Sequence, residues 1–308
     1  MQQTIALVIP IFAVIAMGWL AANRGFIAPA GLAALNAFAY WVALPSLLFA
    51  AIAKMETTGL IDVAGVYLAC CVLIYGCAMA LGLLMLERTF SQAAMFALNA
   101  TYGNVIYFGT PLVSAAFGPQ ALPVILAIIA VHSGVLLPLT AALIEIGYRP
   151  PGGGRTVVRN LAMGLLKNPI IMSIVIGFVW RATGLGVPSP LQNLLSMLGS
   201  AAAPLALFCL GAALPATVNR SLISSEVVTA VIIKLIILPG VIGVVAWKIG
   251  LSDLAQRVAV LTAAVPTGAN ALLLARNEAT FSQVSANIVV LATAFSVLTI
   301  TVILAFVR

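Results

Sequence analysis

Charge is what this sequence has least of. Only 7% of its 308 residues are Asp, Glu, Lys or Arg, against roughly 25% in an ordinary soluble domain. So few charges cannot cover a water-facing surface, which excludes a soluble globule. Acids are scarcer still: Glu56, Asp62, Glu87, Glu145, Glu226, Asp253 and Glu278 are the whole set, and all fall in predicted loops or near predicted span ends. An antiporter that binds its cation on mid-membrane carboxylates is therefore disfavoured. The four cysteines, Cys70, Cys71, Cys77 and Cys209, have no metal-ligand or redox spacing and are read as small packing residues. No nucleophile with a nearby base and no metal cluster is visible, so neither an enzyme nor a bound cofactor or metal is expected. Met1 to Thr4 holds no Lys or Arg, so the first apolar segment reads as a resident helix rather than a signal peptide.

What the chain has is apolar length. Hydrophobic residues make up 63% of it and its mean hydropathy is +1.21. A bilayer core about 30 Å thick takes about 20 apolar residues per helix. On that measure the chain divides into ten spans, near 4–22, 31–53, 62–86, 93–117, 121–146, 169–184, 191–214, 226–247, 255–275 and 282–307. The expected fold class is thus an all-α membrane protein. Its net charge of +7 comes from bases scattered over short loops rather than gathered on one face, so nucleic acid is not an expected partner. Arg24, Arg88, Arg149, Arg155, Arg159, Lys167, Arg220 and Arg276 fall on one side, and Lys54, Arg181, Lys248, Arg257 and Arg308 on the other. The richer side should be cytoplasmic, which puts both termini outside an inner, or plasma, membrane.

The sequence also repeats itself. An offset of 159 positions superimposes Pro10 on Pro169, Gly18 on Gly177, Gly25 on Gly184, Pro29 on Pro188 and Pro45 on Pro204. About 0.3 such Gly and Pro identities are expected by chance at one offset, so the five argue for an internal duplication. Each copy holds five predicted spans, and an odd number of crossings turns the second copy upside down. The expected units are 1–147 and 168–308, joined by a cytoplasmic linker, 148–167, that carries Pro150-Pro151-Gly152-Gly153-Gly154. Inverted repeats are a recurring architecture of secondary transporters, whose alternating access exchanges the conformations of the two copies around a midplane site.

Helix-breaking residues mark where that site should be. Span four contains Asn99-Ala-Thr-Tyr-Gly-Asn-Val-Ile-Tyr-Phe-Gly-Thr-Pro111 and span nine Ala263-Ala-Val-Pro-Thr-Gly-Ala-Asn270. Unwound backbone at membrane depth is tolerated only when buried in protein or lining a wet cavity, and matched breaks in two repeats point to a binding site. If the two breaks cross, the half-helices starting near Asn104 and Thr267 aim free amides and positive dipole ends at one point, which suits a carboxylate. The candidate substrate-binding residues are Gly103, Asn104, Pro266, Thr267, Gly268 and Asn270, with Ser46 beside the kink at Pro45. Lys234, roughly midway along span eight, carries the one intramembrane charge, costly unless paired or hydrated. Three roles stay open for it: neutralising an anion, standing where a related carrier holds a coupling cation, or tying down the carbonyls of a broken helix. His132 in span five is either a proton relay or simply bonded to a neighbour.

At these motifs the chain resembles the auxin efflux carrier family of membrane transporters, over nearly its whole length. The resemblance rests on Gly103-Asn-Val-Ile-Tyr-Phe-Gly-Thr-Pro-Leu112, Asn168-Pro169, Lys234-Leu-Ile-Ile-Leu-Pro239 and Pro266-Thr-Gly-Ala-Asn270. It implies crossed helices four and nine in a moving part made of spans 3–5 and 8–10, and a scaffold that contains spans one, two, six and seven. It also implies substrate contact at Asn104, with Pro266 at the crossing. Plant members carry Pro where this chain has Gly103 and a much longer central loop, so the resemblance is to the bacterial branch, with malonate- or malate-like substrates. The expected partners are a small carboxylate and membrane lipid, with a homodimer left open. An exporter of auxin-like aromatic carboxylates and a passive anion channel are the alternatives.

Overall fold

The computed structural model describes residues 2–54, 59–148, 169–214, 223–268, 271 and 281–307. Among them the fold is all-helical, with no strand. The first half contains α1 (Gln2–Asn23), α2 (Pro29–Phe38), α3 (Leu44–Ala53), α4 (Leu60–Leu84), α5 (Phe90–Thr101), α6 (Thr110–Phe117) and α7 (Leu122–Tyr148). The second contains α8 (Pro169–Ala182), α9 (Ser189–Ser200), α10 (Ala202–Ala212), α11 (Ser225–Ile232), α12 (Leu238–Ile249), α13 (Asp253–Ala263) and α14 (Ser282–Val307). Among the described residues, six stretches are long and apolar enough to cross a membrane: Pro29–Ala53, Leu60–Leu84, Pro119–Gly147, Ser189–Ala212, Ser225–Ile249 and Ser282–Phe306. Val8–Asn23, Val105–Phe117 and Pro169–Ala182 are shorter apolar helices. In the stretch expected at 255–275 the first helix ends at Ala263, with Pro266 and Gly268 in the unwound segment that follows; 169–184 ends at Ala182, with Gly184 in the left-handed region (φ +71).

Among the described residues, three helical paths widen into a π turn, and each does so just before a proline. Ala39–Ala43 precedes Pro45, Val105–Gly109 precedes Pro111 and Ile233–Ile237 precedes Pro239. A proline ring collides with the carbonyl four residues back and offers it no N–H. Those carbonyls belong to Trp41, Tyr107 and Leu235, all inside the π turns. Widening the turn relieves the clash and lets the chain continue. Polar caps start the helices that follow loops: Thr89 and Gln92 form a reciprocal capping box, Ser224 accepts from Val227 N–H, and Ser252 from Ala255 N–H.

Two sets of helices pack together. In one, α1 runs against α10, and α3 against α8 and α9. In the other, α4, α5 and α7 pack mutually, α12 lies on α13 and α4, and α11 meets α14 and α5. Small residues set the approach within the first set, as expected where lipid removes the hydrophobic drive between helices. A Cβ on Gly18 would lie 2.0 Å from the carbonyl oxygen of Phe208, and one on Gly211 1.8 Å from that of Ile15. Gly177 likewise faces Ile52 and the Phe49 carbonyl, at 3.0 and 3.6 Å from its missing Cβ. Adding 159 to Gly18 gives Gly177, and adding it to Phe49 gives Phe208. The Gly18–Phe208 approach and the Gly177–Phe49 approach thus pair the same two positions under that offset, with the roles exchanged. The three buried cysteines, Cys70, Cys71 and Cys209, fit the packing role expected of them; Cys77 is instead exposed on the helix surface.

Candidate functional site: the crossing of two broken helices

The chain unwinds after Thr101 and again after Ala263, and the two unwound segments meet. Asn104 N–H donates to the carbonyl of Pro266 at 2.8 Å, and Gly268 N–H donates to that of Tyr102 at 3.0 Å. Gly103 and Thr267 thereby form an isolated antiparallel bridge inside an otherwise helical protein. Backbone groups that no helix can satisfy at this depth are satisfied by each other. The approach needs residues without side chains: a Cβ on Gly103 would sit 2.7 Å from Val265 Cγ2, and one on Gly268 2.8 Å from Tyr102 Cε1. Asn104 and Thr267 are buried.

Three side chains brace this crossing. Lys234, wholly buried in the third π turn, donates from Nζ to the carbonyl of Ala263 at 2.5 Å. That carbonyl ends α13, where the helix dipole is negative, so a cation there is favourably placed. Of the three roles open to Lys234, its bond is that of tying down a broken helix, and its ammonium also lies within about van der Waals distance of Gly103, 3.2 Å from the missing Cβ. Thr267 donates its hydroxyl to the carbonyl of Asn99 at 2.9 Å. Asn99 in turn donates to Met95 O and to Ser285 Oγ, both at 2.8 Å, which links α5 to α14. His132 on α7 accepts the N–H of Gly103 at Nε2, 3.1 Å away, with its ring stacked on Tyr102 (centroids 4.8 Å apart, planes 10° apart).

On the far side of the crossing a new helix begins. Phe108 and Gly109 N–H groups both reach back to the carbonyl of Asn104. The amides of Val105, Ile106 and Tyr107 stand in the first turn, where a helix has no internal acceptor to offer. Residues Tyr102 to Tyr107, with Gly268, line a pocket of about 20 Å³, room for about one water molecule. Free amides and a positive dipole end at a helix N-terminus favour an anion.

The structure thus joins Gly103, Asn104, Pro266, Thr267, Gly268, Lys234 and His132 in one cluster. It differs from the sequence expectation in which groups are free. The Asn104 amide and the Thr267 hydroxyl are spent on holding the crossing, so the available amides lie one to three residues beyond Asn104. Ser46 stays outside the cluster's hydrogen bonds: its hydroxyl donates to the carbonyl of Val42, in the π turn just before α3, at 2.8 Å. Asn168 and Asn270 lie outside the described residues. Sequence reasoning missed Asn99 and Ser285, although a buried Asn in the run Ala93 to Ala100 was a visible signal of a polar role.

The family model described as "Membrane transport protein" matches residues 4–152 and 154–304, nearly the whole chain. The chain belongs to this family. It is the auxin efflux carrier family whose motifs the sequence carries, and the chain is accordingly a multi-pass membrane transporter. A Rhizobium meliloti (strain 1021) protein, provisionally named a malonate transporter, is 26% identical over all of this chain and 97% of its own length. A mouse lysosomal cholesterol signaling protein is 26% identical over 74% of this chain, which corresponds to only 28% of the mouse protein.

Proposed function

We propose that this auxin efflux carrier family member is a secondary transporter that moves a small carboxylate, malonate- or malate-like, across the inner membrane by alternating access. The observation that carries the reading is the crossing itself: two matched breaks are bound to each other, and a fresh helix N-terminus opens beside them with its amides unspent. A carboxylate would take hydrogen bonds from the Val105–Tyr107 amides and the Asn104 side chain, with the nearby Lys234 ammonium adding positive potential. The name of the Rhizobium relative supports the same substrate class.

In this reading the chain makes ten crossings as two inverted five-helix units, 1–147 and 168–308, joined by 148–167, with both termini outside. The exchanged Gly18–Phe208 and Gly177–Phe49 contacts support the duplication. Helices α1, α2, α3, α8, α9 and α10 form the scaffold and the other helices the moving part. A pocket of about 20 Å³ is too small for malonate, so the crossing must shift against the scaffold to admit it.

The test is uptake of labelled malonate into liposomes holding the purified protein, with malate, succinate and indole-3-acetate as competitors. Saturable uptake that Asn104→Ala lowers about ten-fold or more, the worth of a hydrogen bond to a charged ligand, is expected. Wild-type uptake by Asn104→Ala removes the site. Preferential competition by indole-3-acetate would favour an aromatic carboxylate, and non-saturating flux with unitary currents a channel.

A further inference from the structure

The chain has one histidine, His132. We infer that His132 is a positioning residue: it sets the crossing of the broken helices by accepting the N–H of Gly103, and it can do so only as the neutral imidazole protonated at Nδ1. The inference rests on the transport reading above for its consequence and on geometry for its substance.

Gly103 stands at the centre of the first break, so no helix supplies its amide with an acceptor. His132 Nε2, 3.1 Å away, supplies one. An imidazole nitrogen that accepts carries no proton, which leaves the ring's proton on Nδ1. There it faces the thiol of Cys71, with Sγ 3.9 Å away, a weak acceptor of suitable kind. Two aromatic rings hold the imidazole plane: Tyr102 lies flat against one face and Tyr67 meets it edge-on, with centroids 5.6 Å apart. The ring is wholly buried. It is thus fixed in position, orientation and tautomer by α4, α7 and the break itself.

Holding the Gly103 amide fixes the peptide plane that it shares with the Tyr102 carbonyl, and that carbonyl accepts from Gly268 of the second break. The Asn104 amide, bonded to Pro266 O, lies in the next plane along. His132 therefore acts on the substrate site through Gly103, without touching a ligand in the pocket. The titratable groups around it are Cys71 and Tyr67 on α4, Tyr102 on the break, and Lys234, whose ammonium approaches Gly103 from the other helix. A proton on Nε2 would turn the acceptor into a donor aimed at another donor, beside a cation.

Side-chain geometry provides a sharp test. A glutamine can place its amide oxygen near where His Nε2 stands, whereas an asparagine reaches only as far as Nδ1. His132→Gln should keep the malonate KM near wild type, while His132→Asn and His132→Ala should raise it about ten-fold or more, with folded protein recovered in each case. Amide hydrogen exchange of the 102–107 segment, read by mass spectrometry in detergent, gives a readout independent of transport. Exchange should be slow in wild type and His132→Gln and faster in His132→Asn. Equal exchange in all variants, or a Gln variant as impaired as Ala in both readouts, overturns the positioning role. Absent malonate uptake by wild type, with the exchange pattern as expected, would overturn the transport reading alone.

Discussion

Gly18 and the carbonyl oxygen of Phe208 lie so close that a methyl group placed on Gly18 would fall 2.0 Å from that oxygen. Helices α1 and α10 can approach to this distance only because both present glycine, Gly18 on one and Gly211 on the other. Gly18→Ala or Gly211→Ala must push the helices apart, at a cost of about 1–3 kcal/mol or more. Thermal unfolding in detergent should show a lowered Tm for each. Gly76→Ala on α4, where nothing lies within 4 Å of the new methyl, should leave Tm unchanged or raise it. An unchanged Tm for Gly18→Ala would mean that this packing is looser than described.

Gly103→Ala should damage transport more than stability. The added methyl meets Val265 Cγ2 at 2.7 Å and the Lys234 ammonium at 3.2 Å, so it separates the two breaks at the point where they are bound. About 1–3 kcal/mol of overpacking strain is expected, felt at the site rather than throughout the fold. Malonate uptake falling ten-fold with a Tm within a few degrees of wild type is the expected result.

Lys234→Met keeps an unbranched side chain one atom shorter and removes the donor to Ala263 O. The carbonyl is then left without its partner at membrane depth, and the positive charge near the pocket is gone. Losing a hydrogen bond made by a charged group is worth about 1.5–3 kcal/mol, so uptake should fall about 10- to 100-fold. Full uptake by Lys234→Met would reduce Lys234 to a bystander.

Arg88 and Glu226 join the turn before α5 to the start of α11 through two hydrogen bonds, 3.1 Å from Nε and 2.6 Å from an Nη. The Arg88 side chain is 38% exposed and that of Glu226 6%, so solvent screens one partner and not the other. Removing Arg88 strands a buried carboxylate, whereas removing both strands nothing. Arg88→Ala should therefore lower Tm more than the double variant Arg88→Ala/Glu226→Ala does. Equal losses in the two would assign the pair no coupling.

Much of this protein was legible in one dimension because a bilayer constrains sequence so strongly. Runs such as Leu60–Leu84 have to be helices, since lipid offers their peptide groups no partner. Breaks at Gly103 and Pro266 stood out against such runs, and Lys234 stood out as a charge among isoleucines. The 159-residue offset was visible because glycine and proline at Gly18, Pro29 and Pro45 serve backbone needs that side chains of other kinds cannot meet.

Which groups remain free at the crossing was not legible. The same Asn104 amide that a linear reading offers to a substrate is taken by Pro266 O, and the Thr267 hydroxyl is taken by Asn99 O, across a sequence gap that no local pattern encodes. His132 became a partner of Gly103 only through the packing of α7 against α4 and α5. Apolar length and helix-breaking residues are local properties and are fixed by sequence alone. Hydrogen-bond partnership between segments depends on where distant helices come to rest, and the tertiary structure alone decided it.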